Sequence, residues 1–528
     1  MSHPRVLYAA PALLLGAWIS RGVSPSAVGW LTYNGLVGGN RYSSLSLINT
    51  GNVRGLKLIR VIPIPSPNGL ETTPLVSGQV MLATSANSVY SYNLSNGQLN
   101  WSFVRAQTPG VAQDAGLGMN RGLGLSTGSV FLATDNAHLL SLNSTTGALE
   151  WETVMADYQQ NYGATSAPLY IPGHNLVIAG VSGGDAGARG FLSAYDATTG
   201  NRMWTFWTTP LNTSDPLAAT WGSGAVLPHG CGSTWLTGTY DATTNIVYWG
   251  IGNPCRNYNG DDRQGDNLYT SSVIAINAHT GALQWYFQFT PHSLWDYDGA
   301  NTPMLIDTTW QGHQSHLLFQ ANRNGYFYVL DRGTGQYLSS FPFVTNLNWS
   351  SGLDSKGRPI VNSAAIPTTT GATVCPSVVG ATNWMSSAYS PQTGLFYVHA
   401  LEQCDVVVKG KLQQWQAGQL FEGGYSYTAP GTWGMHLRAL KPATKTIAWD
   451  IAEGLPSSNG GVLATAGGLV FAAQSGGSFS AFDASGGTQL WSYAPGSKVW
   501  KASPMTYEWN GKQFVAIADP GAVLLFGL

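Results

Sequence analysis

The sequence predicts an all-β protein, an eight-bladed β-propeller whose repeats dock tryptophan side chains between neighbouring sheets. A short turn that leads to a tryptophan recurs along most of the 528 residues. Only 9% of the residues are charged, against about 25% in ordinary soluble domains. The 65 glycines and 20 tryptophans suit tight turns and wide aromatic packing. Together these observations favour many short strands over long solvated helices.

The repeated unit is a strand, a turn that begins with Asp or Asn and ends with Gly, and a second strand that carries Trp. The Asp or Asn side chain caps the turn, and Gly takes the positive φ. Trp101, Trp151 and Trp204 recur at spacings of about 50 residues, which suits four strands per sheet. Seven copies begin at Asn93, Asn143, Asp196, Asn277, Asp331, Lys441 and Asp483.

The eighth sheet is expected to combine strands from both ends of the chain, with residues 52–59 supplying one of them. Wider spacing between Trp204 and Trp285, and between Leu338 and Trp449, predicts long insertions. Insertions in a propeller emerge on one face, so we expect them to build a site there.

Residues 1–27 are predicted to form a signal peptide, and residues 28–528 to form one domain. A basic start is followed by an apolar run from Val6 to Ile19 and by small residues around Ser24–Ala27. This run is shorter than the ~20 residues of a membrane span, although an uncleaved anchor stays open. We therefore expect an exported, periplasmic protein without a transmembrane domain.

Net charge and cysteine content exclude some classes of partner. The net charge of −2 and the absence of a basic run argue against nucleic acid as a partner. Cys231, Cys255, Cys375 and Cys404 allow two disulfides, and sequence order favours pairing the first two and the last two. No Cys-x-x-Cys-His motif occurs, so no c-type haem is attached to this chain.

The stretch Pro291–Gly299 places Asp296 and Asp298 two residues apart. In an extended segment both carboxylates point the same way, and so close a pair either shares a proton or holds a cation. The alternative is a turn whose Asp side chains bond their own backbone.

Further motifs resemble, in family order, those of the quinoprotein alcohol dehydrogenases of the methanol/ethanol dehydrogenase family. These enzymes carry pyrroloquinoline quinone, and the resemblance covers essentially the whole mature chain. The matching stretches are 40–43, 180–190, 232–235, 252–254, 265–269, 291–299, 322–325 and 460–465.

The resemblance implies roles for particular residues. Trp235 is similar to the tryptophan on which the planar quinone stacks; the alternative is a repeat tryptophan in the core. Asp185, Asn253 and Asp296 stand at metal-ligand positions, and all supply oxygen. Asn253 alone also suits an ordinary Gly-Asn-Pro turn. The remaining quinone contacts implied by the family are Glu71, Arg121, Thr165, Ser182, Gly183, Gly184, Ser233, Arg323 and Asn383.

Asp296 also matches the family's general base, which takes the alcohol proton while hydride passes to C5 of the quinone. The metal then acts as a Lewis acid on the quinone carbonyl. Arg323 resembles the cation beside this base, and a positive partner keeps a carboxylate ionised. The alternative for Arg323 is a structural turn residue.

Asp298 separates metal types within the family. An aspartate at this position resembles the residue found in the lanthanide-using enzymes. A trivalent ion has one more positive charge than Ca²⁺, and Asp298 supplies one more carboxylate to balance it. We therefore favour a lanthanide over Ca²⁺, with Ca²⁺ as the open alternative.

Three departures from the family pattern are visible. Asp185 stands where the family has Glu, and Ala115 and Gly116 stand where it usually has adjacent cysteines. Cys231 and Cys255 lie close to Trp235 and Asn253, so a disulfide between them would brace both site loops.

The resemblance implies a periplasmic enzyme that oxidises a small primary alcohol to an aldehyde. Its electrons would pass to a separate cytochrome c or similar acceptor. Two alternatives stay open: a non-catalytic propeller that serves as a binding or assembly scaffold, and a sister enzyme for larger alcohols. Assembly as a homodimer is also left open by the sequence.

Overall fold

The computed structural model describes residues 28–66, 68–116, 118–455, 460–494 and 499–528. The predicted signal peptide, residues 1–27, lies outside these ranges. The regular secondary structure of the described residues is almost wholly β-strand, which confirms the all-β prediction. Its helical segments are a single α-helical turn, Gln113–Gly116, and the 3₁₀ segments Val53–Gly55, Tyr158–Gln160, Pro172–His174, Gly184–Ala186, Pro216–Thr220 and Ser363–Ala365.

Eight sheets account for most of the described strands: seven have four antiparallel strands, and one has four antiparallel strands and a short parallel one. The first seven are numbered here in chain order, and each is a meander of strands that follow one another in sequence, apart from an insertion in the sixth. The first three are Leu75–Ser77, Val80–Ser85, Ser88–Asn93, Leu99–Phe103; then Gly124–Leu125, Ser129–Ala133, His138–Asn143, Leu149–Val154; then Leu169–Ile171, Leu176–Gly180, Phe191–Asp196, Arg202–Trp207. The fourth and fifth are Thr239–Asp241, Ile246–Gly250, Ser272–Asn277, Leu283–Gln288; and Met304–Trp310, His313–Ala321, Tyr326–Asp331, Tyr337–Pro342. The sixth and seventh are Ala388–Ser390, Leu395–Leu401, Met435–Lys441, Thr446–Gly454; and Val462–Thr465, Leu469–Ala473, Phe479–Asp483, Gln489–Tyr493.

The eighth sheet joins the two ends of the described chain, as expected. Lys57–Pro63 pairs antiparallel with Ala522–Gly527, and the sheet is completed by Met505–Trp509 and Lys512–Asp519. The predicted strand position needs correction, because residues 53–55 form a 3₁₀ turn and the strand begins at Lys57. A further short strand, Tyr42–Ser43, adds to the seventh sheet in parallel with Val462–Thr465. The largest hydrophobic cluster contains residues of the first, second, seventh and eighth sheets, so the first and last strands of the eighth sheet share one core.

Repeat tryptophans contact the turn of the following repeat. The Trp151 indole Nε1 donates to the carbonyl of Ala197 at 3.1 Å, and its ring covers Gly200. Gly200 has a φ of +73°, which only glycine adopts without strain. The same pairing of indole donor and turn carbonyl joins Trp101 to Ser144, Trp204 to Ala278, Trp285 to Arg332 and Trp449 to Ala484. Trp491 donates instead to Leu56, directly before the first strand of the eighth sheet.

Both predicted insertions are present. Between Trp204 and Trp285 they are the long connections 208–238 and 251–271, the first of which contains the 3₁₀ segment Pro216–Thr220. Residues between the fifth and sixth sheets include the hairpin Ser350–Leu353 and Pro359–Val361. A small sheet of Ala372–Val374, Asp405–Lys409 and Gly424–Thr428 combines this connection with an insertion inside the sixth sheet. In the described part of the chain, no helix has the length and apolar composition needed to span a bilayer.

Replacing Gly200 with Ala is expected to destabilise the fold by about 2–4 kcal/mol. The new Cβ would lie 2.6 Å from Trp151 Cε3, on a backbone in the left-handed region. Equilibrium urea unfolding measures the change. Gly173→Ala is the control, because its Cβ meets nothing within 4 Å. Equal unfolding midpoints for the two variants would contradict the packing role of this turn.

Candidate active site

The predicted site residues all lie in loops at the same end of their sheets. In an antiparallel meander, the start of the first strand and the turn between the second and third strands lie at one end. Glu71, Arg121 and Thr165 come shortly before the first strands of the first three sheets. Asp185 and Asn253 lie in second-to-third connections. The others follow the same rule: Ser182, Gly183 and Gly184 in the third sheet, Ser233 and Trp235 before the fourth, Asp296 and Asp298 before the fifth, Arg323 within the fifth, and Asn383 before the sixth.

These loops surround a cavity of about 200 Å³. With Gly184 as the exception, every predicted site residue lines it. Gly184 is buried behind the wall, where an added Cβ would lie 2.7 Å from Ser233 Oγ. The lining residues are Glu71, Met119, Arg121, Thr165, Ser182, Gly183, Asp185, Ser233, Trp235, Asn253, Asp296, Asp298, Arg323, Asn383 and Trp384.

Arg323 holds the two aspartates of the Asp-Tyr-Asp stretch together. Its Nη2 lies 2.9 Å from Asp296 Oδ2, and its Nη1 lies 2.8 Å from Asp298 Oδ2. Nη2 also donates to the carbonyl of Val378 at 2.8 Å, which fixes the plane of the guanidinium. Burial works to lower the pKa of Arg323, but the charges of Asp296, Asp298 and Asp185 raise it above its ordinary value. The guanidinium is therefore a permanent cation in this site.

The backbone reaches this arrangement in a way that the extended-segment argument missed. Asp296 has a φ of +61°, in the left-handed region, so the segment is not extended there. The two carboxylates converge because both bind Arg323, not because alternate residues share a face. Asp tolerates this conformation better than most residues.

The Asp298 carboxylate accepts three hydrogen bonds. Its Oδ1 accepts from the backbone N–H of Asn253 at 2.6 Å. Its Oδ2 accepts from Trp235 Nε1 at 2.9 Å as well as from Arg323. Asp298 therefore connects the loop of the candidate metal ligand Asn253 with the aromatic floor of the cavity.

Asp185 faces two amide side chains. Its Oδ1 accepts from Asn253 Nδ2 and from Asn257 Nδ2, each at 3.0 Å. Burial, followed by the charge of Asp298, raises the pKa of Asp185. Asn257 also contacts Asp296 Oδ1 at 3.5 Å, so its amide lies between the two carboxylates.

A cation suits this donor set. Within the described ranges, no group of three or more Asp, Glu, His or Cys side chains is arranged to hold a metal ion as it stands. Arg323 and the amides of Asn253 and Asn257 occupy the space between the carboxylates. Three carboxylates nevertheless face one guanidinium, and their oxygens are the donors that hard cations use.

The opposite side of the cavity is built on Arg121 and Trp235. Arg121 Nη2 forms a buried ion pair with Glu71 Oε2 at 2.7 Å, and Nη1 donates to Thr165 Oγ1 at 2.6 Å. The guanidinium lies 4.9 Å from the centre of the Trp235 ring. A cation and an aromatic face at the same cavity suit a planar anionic ligand.

The remaining predicted residues shape the wall. Asn383 Nδ2 donates to the carbonyl of Val379 at 2.8 Å, and Ser182 Oγ donates to the carbonyl of Ala115. Gly183 has a φ of +93°, and an added Cβ would lie 1.9 Å from the carbonyl oxygen of Asn161. Ala115, at the position of the expected cysteine pair, thus lies against the cavity wall.

Both disulfides favoured by sequence order are formed, Cys231–Cys255 and Cys375–Cys404. The first links the loop that carries Ser233 to the loop that carries Asn253. Cys255 Sγ also lies 3.0 Å from the carbonyl oxygen of Gly184, next to Asp185. The predicted bracing position of this disulfide is confirmed.

Sequence reasoning missed three residues of the site: Asn257, Met119 and Trp384. Asn257 had a local signal, since it follows Asn253 by four residues in the same connection. Trp384 had one as well, because it directly follows Asn383. Trp384 Nε1 is buried and has no hydrogen-bond partner among the described residues, so it is a free donor at the cavity.

The fold and the cavity define a class of protein, a β-propeller enzyme with a polar cofactor-type site at one end of its sheets. The family model for the glucose/ethanol/alcohol dehydrogenase β-propeller domain, which is associated with pyrroloquinoline quinone, matches residues 30–342 and 431–515. The chain belongs to the quinoprotein alcohol dehydrogenases, oxidoreductases that depend on pyrroloquinoline quinone. The alternative of a non-catalytic propeller is therefore wrong.

Particular relatives agree with this assignment. The chain is 33% identical over 514 residues to the quinoprotein alcohol dehydrogenase PedH of Pseudomonas putida, covering 89% of this chain and 84% of PedH. It is 35% identical over 483 residues to the dehydrogenase subunit of a quinone-linked alcohol dehydrogenase of Gluconacetobacter polyoxogenes, covering 84% of this chain and 65% of that subunit. The structure matches a europium-containing methanol dehydrogenase with a TM-score of 0.88 at 28% identity, covering 96% of this chain and 98% of the other.

Removing the Cys231–Cys255 disulfide by a double Ser substitution is expected to lower stability by about 3 kcal/mol and to weaken quinone binding. The crosslink restrains the loops of Ser233 and Asn253, both on the cavity wall. Removing Cys375–Cys404, which closes a comparable loop, is the control. That variant should lose similar stability and keep its quinone affinity. Urea unfolding and fluorescence titration with the quinone measure the two effects, and equal quinone affinities for the two variants would contradict the bracing role.

Proposed function

We propose that this protein oxidises primary alcohols to aldehydes in the periplasm and passes the electrons to a separate cytochrome c or similar acceptor. The observation that carries the proposal is the arrangement of Arg323, Asp296 and Asp298 beside Trp235 in one cavity. The alcohol dehydrogenase names of the relatives agree with it. Location in the periplasm rests on the N-terminal sequence pattern.

The cavity fits a pyrroloquinoline quinone molecule. Trp235 supplies a flat aromatic floor, and Arg121 supplies a fork of donors for one of the cofactor's carboxylates. Glu71, Thr165, Ser182, Ser233 and Asn383 line the same wall. Trp384 Nε1 is an unpaired donor there, which suits an acceptor atom of the ligand. When bound, the quinone accepts the hydride that leaves the alcohol carbon.

Asp296 is the candidate base for the alcohol hydroxyl proton. Its carboxylate is 15% exposed and reaches the cavity, whereas Asp298 is 3% exposed and holds three donors. Arg323 lies 2.9 Å from Asp296, and a positive neighbour favours the ionised form of a carboxylate, which is the form that accepts a proton. The bond from Arg323 to Val378 holds that charge in place while the proton moves.

A metal ion would be held by Asp185, Asn253, Asp296 and Asp298, and we favour a lanthanide over Ca²⁺. Three carboxylates against one guanidinium leave an excess of negative charge, which suits a trivalent ion. The europium named for the structural relative agrees with this preference.

We also infer that the eight sheets are the blades of one closed ring. The indole contacts between consecutive repeats support this, and so does the eighth sheet shared by both chain ends.

Asp296→Asn is expected to lower the rate of dye-linked alcohol oxidation about 10²–10⁴-fold in protein loaded with quinone and metal. The amide keeps the shape of the side chain but cannot accept the proton. Asp307→Asn is the control, because Asp307 is an exposed carboxylate in a distant ion pair with Arg332. Circular dichroism and quinone titration confirm folding and loading. Wild-type activity in Asp296→Asn would remove Asp296 from the base role.

Asp298→Ala tests the metal preference. Wild-type protein, purified without metal and given the quinone, should oxidise alcohols with La³⁺ and much less with Ca²⁺. The variant should lose the La³⁺-dependent activity, because a trivalent ion then lacks one balancing charge. Activity with Ca²⁺ that survives the substitution would keep the quinoprotein function and refute the lanthanide preference. No activity and no quinone binding with either ion would contradict the proposed function itself.

A further inference from the structure

Asn257 lies at the centre of the acidic group without belonging to the predicted ligand set. Its side chain is buried, and its Nδ2 lies 3.0 Å from Asp185 Oδ1 and 3.5 Å from Asp296 Oδ1. Its Oδ1 accepts from Asn253 Nδ2 at 2.7 Å. The amide therefore contacts three of the four candidate metal ligands.

The backbone holds Asn257 at this point. Its carbonyl accepts from the N–H of Gly423 at 2.8 Å, which ties it to the insertion in the sixth sheet. Cys255, two residues earlier, is fixed by the disulfide to Cys231. The side chain is thus presented by an anchored loop.

The N–H groups of Asn253 and Asn257 point at the same oxygen of Asp185. These side-chain N–H groups place partial positive charge beside Asp185, at the point where a cation would bind among the carboxylates. Half a turn of a carboxamide exchanges its NH₂ and its oxygen with almost no change in shape. After such a turn, Asn257 presents an oxygen to the same point from which it now donates.

We propose that Asn257 is an additional oxygen ligand of the metal ion in this site. The proposal rests on the proposed function, since it concerns the same ion. It adds a neutral donor, so it raises the number of protein oxygens around the ion without changing the charge of the site. Large hard cations take six to eight oxygen ligands, and each ligand from the protein displaces a water.

Luminescence of bound Tb³⁺ tests the proposal without any measurement of activity. Lifetimes in H₂O and in D₂O give the number of water molecules on the ion, and titration gives its affinity for the quinone-loaded protein. Asn257→Ala should carry one more bound water than the wild type and bind Tb³⁺ at least about tenfold more weakly. Asn259→Ala is the matched control, because the Asn259 amide donates to the carbonyl of Gly410, away from the cavity, and should change neither quantity.

Asn257→Asp separates ligation from simple hydrogen bonding, and it serves also if the Ala variant does not fold. If residue 257 is a ligand, the aspartate keeps an oxygen on the ion. The number of bound waters then stays at the wild-type value, and the affinity for Tb³⁺ is unchanged or higher. If Asn257 only donates hydrogen bonds to Asp185 and Asp296, an aspartate in its place repels both carboxylates, and the affinity for Tb³⁺ falls.

Failure of this inference differs from failure of the proposed function. Wild-type affinity and water number in Asn257→Ala, in protein that oxidises alcohols, would overturn the Asn257 proposal alone. A fall in affinity for Asn257→Asp would overturn it as well. Wild-type protein that binds no Tb³⁺ in the presence of quinone would overturn both this inference and the metal part of the proposed function.

Discussion

The site depends on one buried guanidinium that holds two carboxylates. Without Arg323, the carboxylates of Asp296, Asp298 and Asp185 would face one another across a buried cavity and repel one another. Arg323 in turn is held by the Val378 carbonyl, and Asp298 by Trp235 and by the backbone of Asn253. The ion pairs between Arg323 and these carboxylates thereby hold together loops that come from three sheets and from the connection before the sixth.

The sheets supply the rigidity that these ion pairs need. In five of the described repeats, the glycine of the turn lies under the tryptophan of the preceding repeat, as Gly200 lies under Trp151. Neighbouring sheets are therefore fixed at their ends opposite the cavity by a contact that tolerates no side chain. The loops at the cavity end carry the polar site residues, whereas the glycines and tryptophans of the repeat pack neighbouring sheets together.

The repeat predicted the all-β fold because turn capping and positive φ depend on local residues. The predicted site residues, Asp296 and Trp235 among them, were found by their motifs, and the structure gathers them around one cavity. Three features were not predicted from the sequence. Asp296 has a left-handed backbone, with its carboxylate bound to Arg323, which lies 27 residues further along the chain. Asn257 follows Asn253 by four residues, but this spacing alone does not show that Asp185 and Asp296 lie on either side of its amide. The strand of the eighth sheet begins later than expected, because pairing with Ala522–Gly527 decides its start.

The eighth sheet can form only late in folding, because its two paired strands lie far apart in the sequence. Lys57–Pro63 has no partner strand until Ala522–Gly527 has been made, so this sheet cannot form earlier. Until then the chain keeps an open strand edge. The pairing thus acts as a checkpoint, because a chain without Ala522–Gly527 would retain every residue of the cavity and still lack the strand pair that completes the eighth sheet.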